Sequence, residues 1–252
     1  MGQADTVLQR QAMQLLTFFR GQNDVSTALQ MLNYSLTHNK WLESFFLIQH
    51  LKGLKLGIQH PLIANQLYQI LSDHFQIITS KSKEYPFLNS MIMMVNSLVH
   101  PELWSTPWSN LIKNYLLCPE PRVVANAIEV LCFYGFDFKE FQNVLVNWKD
   151  NNRVSANFIL FEMRRQIKKS NVKTLVGWLK SDHVLFQASA LYVIEETLRY
   201  YQRRDPIIFK TNSLLADCVS ETDQLKSSTS PVIKTRMEKL QIILTGSEAK
   251  VA

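Results

Sequence analysis

Glycine and proline are scarce, at seven and eight residues in a chain of 252. The prolines (61, 86, 101, 107, 119, 121, 206 and 231) stand at the edges of periodic apolar segments, where the first turn of a helix tolerates a missing N–H. Sustained apolar-polar alternation is absent, and so are Asn-Gly and Asp-Gly pairs. That removes the usual strand and hairpin signals and leaves an all-α chain. The three cysteines, Cys118, Cys132 and Cys218, are an odd number without clustered spacing. They exclude a disulfide framework and are expected as small buried side chains in a reducing compartment. Long hydrophobic runs are missing as well. Phe87 to Val99 is too short for a membrane span and contains Asn89 and Asn96, while Met1 to Arg20 carries Asp5 and Arg10 in place of the apolar core of a signal peptide. A soluble, cytoplasmic protein with no membrane span is expected.

Catalytic signatures are also lacking. The chain has no glycine-rich phosphate loop, no His-Glu-x-x-His, no Gly-x-Ser-x-Gly and no Cys-x-x-Cys. Its six histidines (38, 50, 60, 74, 100, 183) include no pair at helical i, i+3 or i+4 spacing. We therefore expect no enzyme, no cofactor and no metal.

What is present is helical periodicity. Apolar positions recur at three- and four-residue steps in Thr6–Phe19, in a segment capped by Asp24 or Ser26 and ended by His38-Asn39, and in Trp41–Leu51, too apolar to have one covered side. A long helix is predicted from Pro61 to Thr79. After the polar break Ser80–Pro86, further helices are expected over Phe87–Val99 and over Trp108–Leu117, the latter capped by Thr106. Beyond Pro119 the predicted helices are Arg122–Tyr134, Asp137–Trp148, Asn152–Ile167, Ser170–Leu179, Asp182–Tyr201 and Pro206–Val219. A polar linker, Ser220–Ser230, precedes a last helix starting at Pro231 and a fraying tail from Gly246.

A repeat runs through the second half. Leu145-Val-Asn-Trp148 returns as Leu175-Val-Gly-Trp178, and Arg122-Val-Val-Ala-Asn126 as Arg153-Val-Ser-Ala-Asn157; Val123, Val154 and Val184 follow at intervals of 31 and then 30 residues. Such periods signal supersecondary units that complete one another's core by stacking. Cys118-Pro-Glu-Pro-Arg-Val-Val-Ala-Asn-Ala-Ile-Glu-Val-Leu131, with Val123, Ala127 and Leu131 at four-residue steps, resembles the second helix of a HEAT repeat. The resemblance covers about residues 108–201. It implies a right-handed α-solenoid of stacked antiparallel helix pairs, and the common role of such folds, holding another macromolecule on an extended face. The expected division is a helical N-terminal part or cap over 1–107, repeats over 108–219, and linker, last helix and tail over 220–252. Ser181 to Ala190 is similar to a stretch of the HEAT-like alkylpurine DNA glycosylases. Ala188 stands where that family has a basic residue, so no base-releasing activity is expected.

The formal charge of +6 is unevenly placed: residues 153–210 hold 11 basic and 5 acidic side chains, and the remaining chain is balanced. Arg164 and Lys168, and Arg165 and Lys169, are one turn apart. With Lys173, Arg199, Arg203 and Arg204 they define a candidate basic stripe suited to an acidic protein or, alternatively, to nucleic acid. Glu195, Arg199 and Arg203 are expected on a wet helix face. Arg122 and Arg153, and Asn126 and Asn157 with Gln187, recur at equivalent positions; the amides are candidates for a ladder that binds an extended peptide backbone. Trp148 and Trp178 read as wedges between repeats, and Trp104 and Trp108 as an exposed aromatic patch.

Overall fold

The computed structural model describes residues 22–54, 60–151, 169–204 and 213–245, with backbone alone at 22–24, 147–151, 169–170, 213–215 and 217. The predicted helices over 6–19 and 152–167 lie outside these residues. All regular structure among the described residues is helical, and the three cysteines are buried thiols outside any disulfide. The chain divides into two compact units, Met1–Tyr134 and Gly135–Ala252. Gly135, at φ 96°, carries the chain out of the last helix of the first unit in a conformation that side chains disfavour.

In the first unit, α1 (Gln22–Thr37) and α2 (Trp41–Gly53) form a helical pair. Helix α1 is already under way at Gln22, so Asp24 and Ser26 lie inside it and do not cap it. Its end is where the sequence puts it. Asn39 takes φ 56°, the Lys40 N–H bonds the Ser35 carbonyl, and the Asn39 N–H bonds that of Leu36, which together satisfy the last carbonyls of the helix. Helix α2 buries Ser44, Leu47, Ile48 and Leu51, and packs both on α1 and on the segment from Pro86 to Leu98, the sandwich its apolar sequence predicts.

The helix predicted over 61–79 is two: α3 (Pro61–Asp73) and α4 (Phe75–Lys81), broken at His74. The buried His74 ring bonds Asn33 Oδ1 of α1 at 2.7 Å. Burial lowers the His74 pKa and the nearby Asp73 raises it, the first effect being the larger; burial likewise lowers His50. A histidine depressed in the fold takes up its proton more readily when unfolded. Stability is therefore lost as pH falls through the ordinary histidine value of about 6.5. The midpoint of thermal unfolding should drop between pH 7.5 and 5.5, and His74→Gln, which keeps a donor for Asn33, should make the drop smaller. An unchanged drop would remove His74 from this account.

Residues 86–98, predicted as one helix, are a 3-10 turn (Pro86–Met91) followed by α5 (Met94–Leu98). Helix α6 (Thr106–Asn114) starts after Ser105, which replaces Thr106 as cap and makes no side-chain capping bond. It tightens into a 3-10 turn at Tyr115–Leu117. Helix α7 (Pro121–Phe133) is capped by Glu120, whose carboxylate accepts the Arg122 N–H.

The second unit begins with a 3-10 turn (Phe138–Phe141) capped by Asp137 and continues as α8 (Gln142–Asn151). Helices α9 (Lys169–Leu179) and α10 (Val184–Arg204) pack together, as do α9 and α11 (Ser213–Glu221), and α10 and α12 (Pro231–Thr245). The predicted cap Asp182 is not used. The His183 ring accepts the Leu185 N–H instead, and the Ser181 hydroxyl accepts that of His183. The expected polar linker holds the end of α11 and a 3-10 turn at Thr222–Leu225, with Thr222 and Leu225 buried.

Both units share one register. Among the described residues, side-chain hydrogen bonds recur in both units between positions 33 to 46 apart. In the first unit, first helices meet first helices. Ser26 bonds Gln66, Asn33 bonds His74, Leu71 bonds Tyr115 and Thr79 bonds Cys118, always running in the same direction. Second helices do the same: Lys52 bonds Ser97, Asn89 bonds Asn126, and Val95 and Val99 bond Tyr134. The shortest separation, 33, falls at Phe138–Asn171, in the stretch where the sequence repeats at 30 to 31.

Candidate functional site

The structure describes part of the predicted partner-binding set, which comprises the basic stripe and the recurring arginines and amides. Arg153, Asn157, Arg164, Arg165 and Lys168 lie outside the described residues, as does the side chain of Lys169. Arg122 is exposed on the first turn of α7, in the first unit. Lys173 is exposed on α9, and Arg203 and Arg204 are exposed at the end of α10. A short turn, Lys180–His183, joins the two packed helices. In an antiparallel pair this leaves Lys173 and Arg203 on the order of 20 Å apart along the axis.

Arg199 is not part of a wet face. Glu195, 3% exposed, receives Arg236 of α12 at 2.8 Å and Arg199 at 3.4 Å. The Arg236 guanidinium also lies 4.3 Å from the centre of the Tyr192 ring. The face predicted to be solvated is therefore where α12 clamps onto α10, an arrangement set by a residue 41 positions downstream of Glu195. Removing Arg199 from the set leaves Tyr200, Arg203 and Arg204 as an exposed group, with Arg204 5.6 Å from the Tyr200 ring. Other charges of this unit are spent internally: Lys180 pairs with Glu221 at 2.8 Å and Lys226 with Asp223 at 2.7 Å. Among the described residues, Lys173, Arg203 and Arg204 make no ion pair.

Of the amides proposed for a ladder, Asn157 is outside the described residues and Asn126 is engaged within the fold. Asn126 donates to both the carbonyl and the side chain of Asn89, at 2.8 and 3.0 Å, and so ties neighbouring helices together. Trp104 and Trp108 form no exposed patch. Trp104 lies flat on Tyr134 at 3.9 Å and 6°, and Trp108 is buried edge-on to Tyr68. Trp178 is a buried wedge between Phe138 and Phe186; the Trp148 side chain is outside the described set.

A second feature went unread in the sequence. In the first unit a groove of about 560 Å³ is lined by Asp73, Phe75, Gln76, Asn114, Leu117 and Cys118, among others. Treating 61–79 and 108–117 as unbroken helices hid it, because the break at His74 and the 3-10 turn at Tyr115–Leu117 shape its walls. At its floor the Cys118 thiol points to the Thr79 carbonyl at 3.7 Å and accepts the Glu120 N–H. Burial raises the Cys118 pKa, a stronger effect than the opposing backbone bond, so the protonated thiol is favoured over a nucleophilic thiolate. Among the described residues, no group of three or more His, Cys, Asp or Glu could hold a metal, and no helix is long and apolar enough to cross a membrane. Compared with protein-family models, curated proteins and solved structures, the chain finds no match in any of the three.

Proposed function

We propose that the chain is a non-catalytic scaffold of HEAT-like stacked helix pairs that holds an acidic partner protein on its second unit. The common register of 33 to 46 residues supports the repeat reading, since each helical pair bonds its neighbour at about the length of one HEAT unit. The observation that carries the partner is the exposed group Tyr200, Arg203 and Arg204. Aromatic residues and arginine are the types enriched at protein interfaces, and two exposed guanidinium groups favour an acidic surface.

The test is a pull-down with the full chain and with the double variant Arg203→Glu/Arg204→Glu, beside a labelled DNA duplex at low salt. The wild type should retain a stoichiometric acidic protein that the variant loses tenfold or more, with no duplex bound. Retention of the same protein by the variant contradicts the proposal. Duplex binding whose affinity falls linearly with log salt would replace it with nucleic-acid recognition.

A further inference from the structure

The groove of the first unit differs in character from the basic tip of α10. We infer that it docks an extended segment of a partner protein, seating an apolar side chain against Phe75 and Leu117 and a lysine or arginine opposite Asp73. This inference is independent of the acidic partner proposed for the second unit.

Four observations lead to it. First, the helices beside the groove are tied to one another: Tyr115 Oη donates to the Leu71 carbonyl at 2.7 Å and the Cys118 thiol, which lines the groove, to that of Thr79. A site of this kind spends little on ordering when a ligand arrives. Second, Leu117 is 80% exposed, the most exposed large apolar side chain among the described residues, and it stands on the groove wall with Phe75, itself partly exposed. Third, exposed Gln76 and Asn114 line the same groove, and each amide offers a donor and an acceptor that match a peptide backbone. Fourth, among the described residues of the lining, Asp73 is the one ionisable group apart from the protonated thiol, and it is exposed. A carboxylate there repels phosphate and acidic peptide and favours a cation. At about 560 Å³ the groove lies within the roughly 300 to 1,000 Å³ of ordinary ligand sites. The backbone-binding amides sought in the ladder at Asn126 are supplied here by Gln76 and Asn114.

The experiment is an array of octapeptides whose four central positions vary among lysine, glutamate, leucine, serine and glutamine. It is probed with the full wild-type chain and with Asp73→Lys and Leu117→Ser, all checked for an unchanged helical circular-dichroism spectrum. Wild type should select lysine beside leucine. Asp73→Lys should turn the preference to glutamate by tenfold or more, and Leu117→Ser should weaken the leucine-containing peptides about fivefold. Failure to bind any peptide, selection without lysine beside leucine, or an Asp73→Lys profile like that of the wild type would each overturn the inference. Loss of the acidic partner in Arg203→Glu/Arg204→Glu leaves this result untouched, so the two proposals fail separately.

Discussion

Trp178→Ala should destabilise the second unit by about 3 to 5 kcal/mol, seen as a thermal midpoint lowered by roughly 10 °C or more. Trp178 is 2% exposed and lies between Phe138 and Phe186, at ring-centre distances of 6.4 and 5.8 Å. Phe138 belongs to the turn before α8 and Phe186 to α10, so the indole fills the space between two successive helical pairs. Alanine leaves that space empty, and close-packed helices collapse only partly into a void. Trp178→Phe should behave differently. The indole Nε1 is buried and has no hydrogen-bond partner, so losing it removes no bond. What remains is a smaller cavity, and a cost of about 1 to 2 kcal/mol is expected. Equal losses in the two variants would mean that the ring is not a packing wedge.

Arg236→Ala should cost about 3 kcal/mol, because it takes one of two cations from a buried carboxylate. Glu195 is 3% exposed and cannot reach water to replace the bond at 2.8 Å, and Arg199 at 3.4 Å is left as its sole charged neighbour of the original two. The substitution also strips the guanidinium from the Tyr192 ring. The double variant Glu195→Leu/Arg236→Met should recover most of the loss, since an apolar pair of similar volume avoids desolvating charge. Arg199 is 22% exposed and can turn its head to solvent in that variant. Chemical denaturation of the three chains decides it. A double variant as unstable as Arg236→Ala would place the stabilisation in packing around Tyr192 and not in the ion pair.

The helices were legible in the sequence wherever local chemistry decides them. Pro61, Pro121 and Pro231 each stand in the first turn of the helix they open, and Asn39 ends α1 in the left-handed conformation that asparagine tolerates. Periodicity failed where the backbone changes its hydrogen-bonding pattern without changing which residues face the core. Leu88, Met91, Ile92, Val95 and Leu98 are all buried, and they read as one helix although the chain passes from a 3-10 turn into α5. The polar residues were harder. Glu195 looked solvated because its neighbours on α10 are Arg199 and Arg203, and the Arg236 that binds it comes from α12, far along the chain. Asn126 was picked out by its recurrence, but its purpose depends on Asn89, 37 residues earlier. The groove was invisible for a related reason, since its walls are joined by bonds between residues 39 and 44 positions apart.

Everything proposed here rests on each helical pair lying against the pair about forty residues away, within each unit. Cross-linking of paired cysteines tests this directly. In a background with Cys118, Cys132 and Cys218 replaced by serine or alanine, one chain carries cysteines at Ser26 and Gln66, and a second at Lys180 and Glu221. These positions are now joined at 2.8 Å in both units. A short bismaleimide should close both pairs within single chains in high yield, while control pairs displaced by half a repeat, about twenty residues, stay open. Equal yields for matched and displaced pairs would contradict the stacked register.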